Sequence, residues 1–126
     1  MYSYVVWLDS QEAHFFALKS TGIEKSHINN SDTHHHRAPQ KDVPKDKNAE
    51  PYYHHLAEKL KDADQILLMG PGLAKNHFKS YLDSHEAHTL AQKIIGVETV
   101  DKMTENQIMA EARKFFKHYD LFNTSI

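Results

Sequence analysis

Asp9, Glu98 and Asp101 come from segments far apart in the chain. Carboxylates gathered from distant segments are what a metal-dependent nuclease uses to hold divalent ions against a phosphodiester. Asp9 closes an early apolar run, Glu98 lies inside a late one, and Asp101 follows just after it. The plainer account is that Asp9-Ser10 makes a turn and Asp101 helps cap a helix. A second group is Gly70-Pro71-Gly72 with Lys75, Asn76 and Lys79 behind it. A strand, a glycine turn and a helix in that order can offer free backbone N–H groups and a dipole to a phosphate. No Gly-Lys-Ser/Thr follows Gly72, and position 75 is lysine where the dinucleotide pattern needs glycine, which counts against a nucleotide site. The stretch reads first as a tight corner in which glycine supplies unusual backbone angles. Contact with a phosphate or an RNA backbone is the second reading.

The third group is His34-His35-His36-Arg37, followed by Lys41, Lys45 and Lys47. Imidazoles bind divalent metals only when several converge, and neighbours in an extended segment point in different directions. No metal is therefore expected there. These side chains read as surface groups or as a contact for RNA, and the acids among them (Asp32, Asp42, Asp46, Glu50) weaken the patch as an electrostatic footprint.

With 126 residues, 40% of them hydrophobic and 25% charged, the composition is that of one globular domain, 1–126. A net charge of -2 provides no global basic field for nucleic acid, so any RNA contact must use a local patch. The absence of cysteine excludes disulfides, thiol catalysis and cysteine-ligated zinc. No G-x-S-x-G elbow occurs, so no serine triad is claimed. No cofactor is expected. The opening MYSYVVWLDSQ has no basic n-region, and no segment approaches the roughly 18 apolar residues of a membrane helix. The expectation is a cytoplasmic protein with no membrane partner.

The elements that must position these groups are legible from periodicity. Tyr4 to Leu8, Ala13 to Leu18 and Ile23 to Ile28 read as strands, with Thr21-Gly22 as a turn signal, and their close spacing makes an antiparallel meander. Asn29 to Glu50 is polar, with Ala and Val as its apolar residues, and reads as a long loop. Pro51 sits where a helix likes to begin, and Tyr52, Leu56, Ala57, Leu60 and Ala63 form a helical stripe. Gln65 to Met69 reads as a strand buried on both faces. A helix over Leu73 to Leu82 follows, with Leu73, His77 or Phe78, Tyr81 and Leu82 inside, then a helical turn over Thr89 to Lys93 and a buried strand over Ile94 to Val100. Thr104-x-x-Gln107 is the spacing of a capping box, and Ile108, Ala112, Phe115 and Phe116 mark the inner face of the last helix. The order β-β-β-α-β-α-β-α implies an α/β fold, one mixed five-stranded sheet with helices packed on it.

That order, carried by VVWLDSQEAHFFAL, PYYHHLAEKLKDADQILLMGPGLAKNHFKSYL and KIIGVETV, resembles the middle domain of eukaryotic and archaeal class-1 peptide chain release factors and of Pelota, and the short bacterial relatives called translational machinery proteins. The resemblance covers nearly the whole chain and implies a ribonuclease-H-like three-layer fold and an association with ribosomes. It also implies where a catalytic tripeptide would lie. Release factors carry Gly-Gly-Gln in the loop after the third strand, whereas Asn29 to Glu50 contains no glycine and Gln40 stands between Pro39 and Lys41. Hydrolysis of peptidyl-tRNA by that motif is excluded. Pelota lacks the tripeptide as well.

The function expected is that of a non-catalytic protein associated with the ribosome or structured RNA. Its contacts would be His34, His35, His36, Arg37, Lys41, Lys45 and Lys47, with Gly72, Lys75, Asn76 and Lys79. A nuclease using Asp9, Glu98 and Asp101 is one alternative. A homodimer formed through an exposed edge of the meander is the other.

Overall fold

A computed structural model of the chain describes residues 2–30, 45–85 and 89–124, and within these the side chains other than those of 45–49 and 118–124. The first strand, β1 (Ser3–Leu8), is a run of β-branched and aromatic residues, and from Tyr4 onward it is buried throughout. β2 (Glu12–Lys19) and β3 (Gly22–Asn29) follow as an antiparallel meander. Helix α1 (Lys45–Lys59) leads to β4 (Gln65–Gly70), α2 (Ala74–His85), a 3₁₀ turn (Leu90–Lys93), β5 (Ile94–Thr99) and α3 (Glu105–Thr124).

The strands form a single five-stranded sheet in the order β3-β2-β1-β4-β5. β1 pairs antiparallel with β2 and parallel with β4, and β4 pairs parallel with β5, so the sheet is mixed as the element order requires. Alternation along the strands divides the core in two. Tyr4, Val6, Leu8, Phe15, Ile66 and Leu68 face α1 and α2, where Tyr52, Leu56, Leu60, Phe78 and Leu82 meet them. Val5, Trp7, Phe16, Leu67 and Met69 face the opposite way, onto Ile108, Met109 and Ala112 of α3. The result is the α/β three-layer architecture expected from the sequence. Each large apolar side chain removed from water contributes roughly 1.5–3 kcal/mol, which is why a central strand made of Tyr4-Val5-Val6-Trp7-Leu8 organises both layers.

Three local expectations are corrected. Helix α1 includes Lys45 to Glu50, read from the sequence as part of the polar loop, and so does not begin at Pro51. Pro51, the seventh residue of the helix, cannot donate to the carbonyl of Lys47, and it is exposed to solvent. Leu73 precedes α2 and is 67% exposed, and Ala74 and Lys75 take the inner positions beside Phe78 and Leu82. β5 is half-buried rather than fully buried, because it is an outer strand with β4 as its neighbour in the sheet.

The capping box is present as expected. Gln107 N–H donates to Thr104 Oγ1 at 3.2 Å, and Thr104 N–H donates to Gln107 Oε1 at 2.9 Å.

Candidate functional site

Each group singled out in the sequence has a definite local setting. Asp9 builds the β1–β2 turn: its Oδ1 accepts from the N–H groups of Gln11 at 2.8 Å and Glu12 at 2.9 Å. Such side-chain to backbone bonding is the ordinary work of an aspartate in a turn. The Asp9 carbonyl accepts from the hydroxyl of Tyr52 at 3.0 Å, which ties the turn to α1. Tyr52 and Tyr53 are both buried, so neither ring is open to a base. Glu98 lies on β5, half-buried, and burial raises its carboxyl above the ordinary value, with Glu111 of α3 adding to the effect and Lys114 opposing it. Asp101 is exposed, and its carbonyl accepts from Trp7 Nε1–H at 3.4 Å. Among the described residues, Asp9, Glu98 and Asp101 are not gathered into one group with ligand spacing.

At the start of α2, Gly72 and Asn76 are exposed. Lys75 is not: it is 2% exposed, and its ammonium donates to the Gly72 carbonyl. Burial lowers its pKa below the ordinary lysine value. The lysine that was expected to meet a phosphate is thus folded back onto the corner that precedes it. Lys79, one turn on, is 42% exposed and lies 3.4 Å from Asp83. The cationic part of this surface is therefore Lys79, beside Asn76 and the open backbone at Gly72. His34, His35, His36, Arg37 and Lys41 lie outside the described residues. Lys45 and Lys47 belong to α1, with their side chains likewise outside them.

One further polar group on the described surface lies outside those singled out from the sequence. On β2, Glu12 and His14 are two residues apart and so share a face. His27 on β3 is the direct cross-strand partner of His14. Their rings stand 4.6 Å apart between centroids. Both imidazoles meet one carboxylate oxygen: His27 Nε2 lies 2.9 Å and His14 Nε2 3.3 Å from Glu12 Oε1. The other oxygen, Glu12 Oε2, accepts from Lys102 Nζ at 3.2 Å. The His27 contact, then the Lys102 bond, hold the Glu12 carboxyl below its usual range against the opposing effect of burial. The Trp7 ring stands edge-on to His14 at 6.1 Å and closes the inner side.

A signal for this group exists in the sequence. Glu12-x-His14 in a strand puts two ligating side chains on one face, and the hairpin turn decides what lies opposite. The turn consists of Ser20 and Thr21, because Lys19 pairs with Gly22. A turn centred on Thr21-Gly22 would shift the register and bring Phe16 opposite His27.

No family model matches the sequence, and no curated protein matches it. Solved structures do. The chain is similar to Pelota from Archaeoglobus fulgidus, with 19% identity and a TM-score of 0.58 over 90% of this chain and 31% of that one. For the Thermoplasma acidophilum Pelota protein the values are 19% identity and a TM-score of 0.59 over 88% of this chain and 31% of that one. For an archaeal translation termination factor they are 15% identity and a TM-score of 0.58 over 95% of this chain and 40% of that one. At such identities the likeness is one of fold, and the chain spans between 31% and 40% of the length of these proteins. The resemblance read from the residues is thereby supported at the level of fold, shared with part of Pelota and of the archaeal termination factor.

Proposed function

We propose that the chain is a non-catalytic protein of translation, associated with the ribosome or with structured RNA. The observation that carries this reading is the shared fold over about nine tenths of the chain with Pelota and a translation termination factor. The sequence adds the second half: the segment after β3 has no Gly-Gly-Gln, so the fold is used here without that hydrolytic motif. The contacts proposed are the exposed start of α2 (Gly72, Asn76, Lys79) and the basic and histidine side chains between His34 and Lys47. Lys75 enters only if it leaves the Gly72 carbonyl. Such a protein works where ribosomes are, in the cytoplasm. No described helix is long and apolar enough to cross a membrane.

Neither alternative has comparable support. A nuclease would gather Asp9 with Glu98 and Asp101, whereas Asp9 Oδ1 is taken by the β1–β2 turn and the three are not grouped with ligand spacing among the described residues. A homodimer through the meander would use the outer edge of β3, where Ile23 is exposed. Glu24 and Lys25 place charges on the same strand, which is how proteins blunt a sheet edge.

The test is co-sedimentation of the chain with ribosomes from its own lysate over a range of salt. The expected result is comigration with a subunit or the intact ribosome at low salt, weakened by rising salt and by Lys79→Glu. A chain that stays at the top of the gradient at low salt would sink the reading.

A further inference from the structure

We propose that Glu12, His14 and His27 form a binding site for one divalent ion of the zinc, cobalt, nickel and copper class. This inference is independent of the ribosomal reading. Its basis is the donor set and where the fold puts it. Each of the three residues offers one ligand atom, and these atoms all lie within 4.8 Å of one another. A tetrahedral ion with metal–nitrogen and metal–oxygen bonds of about 2.0–2.2 Å sets its ligand atoms roughly 3.3–3.6 Å apart. Of the two distances to Glu12 Oε1, 3.3 Å already matches the lower end of that spacing and 2.9 Å falls a little short of it. An ion enters by small side-chain rotations, without a shift of the strands.

The chemistry of the set selects the ion. Two imidazole nitrogens and one carboxylate suit borderline cations, whereas magnesium and calcium prefer oxygen ligands throughout. The three donors leave a fourth position open, and it faces solvent: the side chains of His27, His14 and Glu12 are 43%, 30% and 23% exposed. That position would take water or an outside ligand.

The surroundings are those of a supported site. All three donors stand on paired strands rather than on a loop, and His14 and His27 are direct cross-strand partners. Trp7 backs the His14 ring. The two oxygens of Glu12 divide the work: Oε1 faces both imidazoles, and Oε2 takes Lys102. An ion held by Oε1 and both Nε2 atoms takes the place of the N–H protons that face this oxygen, each of which leaves to solvent or moves to Nδ1 of its ring, so Lys102 can remain on Oε2 as an outer partner that orients the carboxylate. Lys102 comes from the segment between β5 and α3, so the bound ion would also fasten the β2–β3 hairpin to the start of the last helix.

The test uses the full chain with His34, His35 and His36 changed to alanine, so that the histidine run cannot supply imidazoles. Zinc uptake is measured by titration calorimetry, and the shifts of the histidine ring protons are followed on adding cobalt. The expected result is one zinc per chain. His14→Ala and His27→Ala should each weaken binding by about tenfold or more, the least that removal of a direct ligand should cost. Glu12→Gln should weaken it as well. The ring signals of His14 and His27 should move first and together. Thermal melts of the metal-free variants establish that they are folded, and the cobalt shifts of the unsubstituted strands give an answer if a variant is not. No uptake, uptake unchanged by His14→Ala and His27→Ala, or earlier movement of other histidine signals would each overturn the proposal.

Discussion

Gly70 and Gly72 occupy the same short corner and do different things. A Cβ at Gly70 would fall inside contact distance of the backbone carbonyl of Leu8, because β4 lies against β1 there. A carbonyl held in a central strand cannot give way. Gly70→Ala should therefore destabilise the fold by about 3 kcal/mol, at the upper end of typical overpacking costs. A Cβ at Gly72 meets nothing within 4 Å, and no positive φ requires glycine there. Gly72→Ala should be neutral, or should stabilise by about 0.4–1 kcal/mol by restricting the unfolded chain. Urea unfolding of the two variants side by side checks both, and equal effects would show that the corner is not held by backbone contact at Gly70. Glu98 supplies a second prediction at this scale. Burial, and then Glu111, raise its folded pKa above the ordinary 4.5. The folded chain therefore keeps a proton at pH values where the unfolded chain has lost it. Stability falls as pH rises through that window, and at neutral pH the ionised carboxylate carries the full penalty. Glu98→Gln should be more stable than the parent at pH 7, by less than about 1 kcal/mol for a partly solvated group. The gain should vanish below the unfolded pKa, and a gain that is the same at acid and neutral pH would contradict this account.

The elements owe their limits to a few side chains. Thr104 and Gln107 satisfy each other's backbone N–H groups at the start of α3. Thr104→Ala should cost about 1 kcal/mol of stability, the usual worth of an N-cap oxygen. Thr104→Ser should recover most of it in the same unfolding assay, and an alanine variant as stable as the parent would show that the cap carries little. Farther along, α3 lies so close to β5 that a Cβ at Gly96 would meet the ring of Phe115. That ring is only half-buried and can give where the Leu8 carbonyl cannot. The capping box and the inner face of α3 were legible because both are local patterns of three or four residues. The start of α1 was not. Pro51 marks a favoured helix start, yet a helix can run through a solvent-facing proline when only its opening turns are disturbed. The partial burial of β5 is not legible for a related reason: an apolar run shows that a strand is covered, but its place at the sheet edge comes from topology.

For the whole molecule, the net charge of -2 limits how RNA could be held. Affinity for nucleic acid falls with salt in proportion to the phosphates neutralised. At the start of α2 the exposed cation is Lys79, which stands beside Asp83, while Lys75 is buried. Ribosome binding through that surface should accordingly show a shallow salt dependence. A steep one would place the contact among the basic residues between His34 and Lys47 instead. The two layers of the core are tied to one another through β1, whose alternate residues serve both.

The sequence by itself determined the kinds of elements, their order and most of their inner faces, because periods of 2 and 3.6 are written in neighbouring residues and need no tertiary information. It also determined the absence of Gly-Gly-Gln and of cysteine chemistry, which are matters of composition. Only the tertiary structure decided which side chains meet. Lys75 turned inward onto Gly72 because the helix it begins packs against the sheet. Glu12, His14, His27 and Lys102 came together because a two-residue turn fixed the β2–β3 register and the chain after β5 passed the same end of the sheet. Convergence of that kind depends on register and on where distant segments return, and a change of one residue in either would send the same side chains elsewhere.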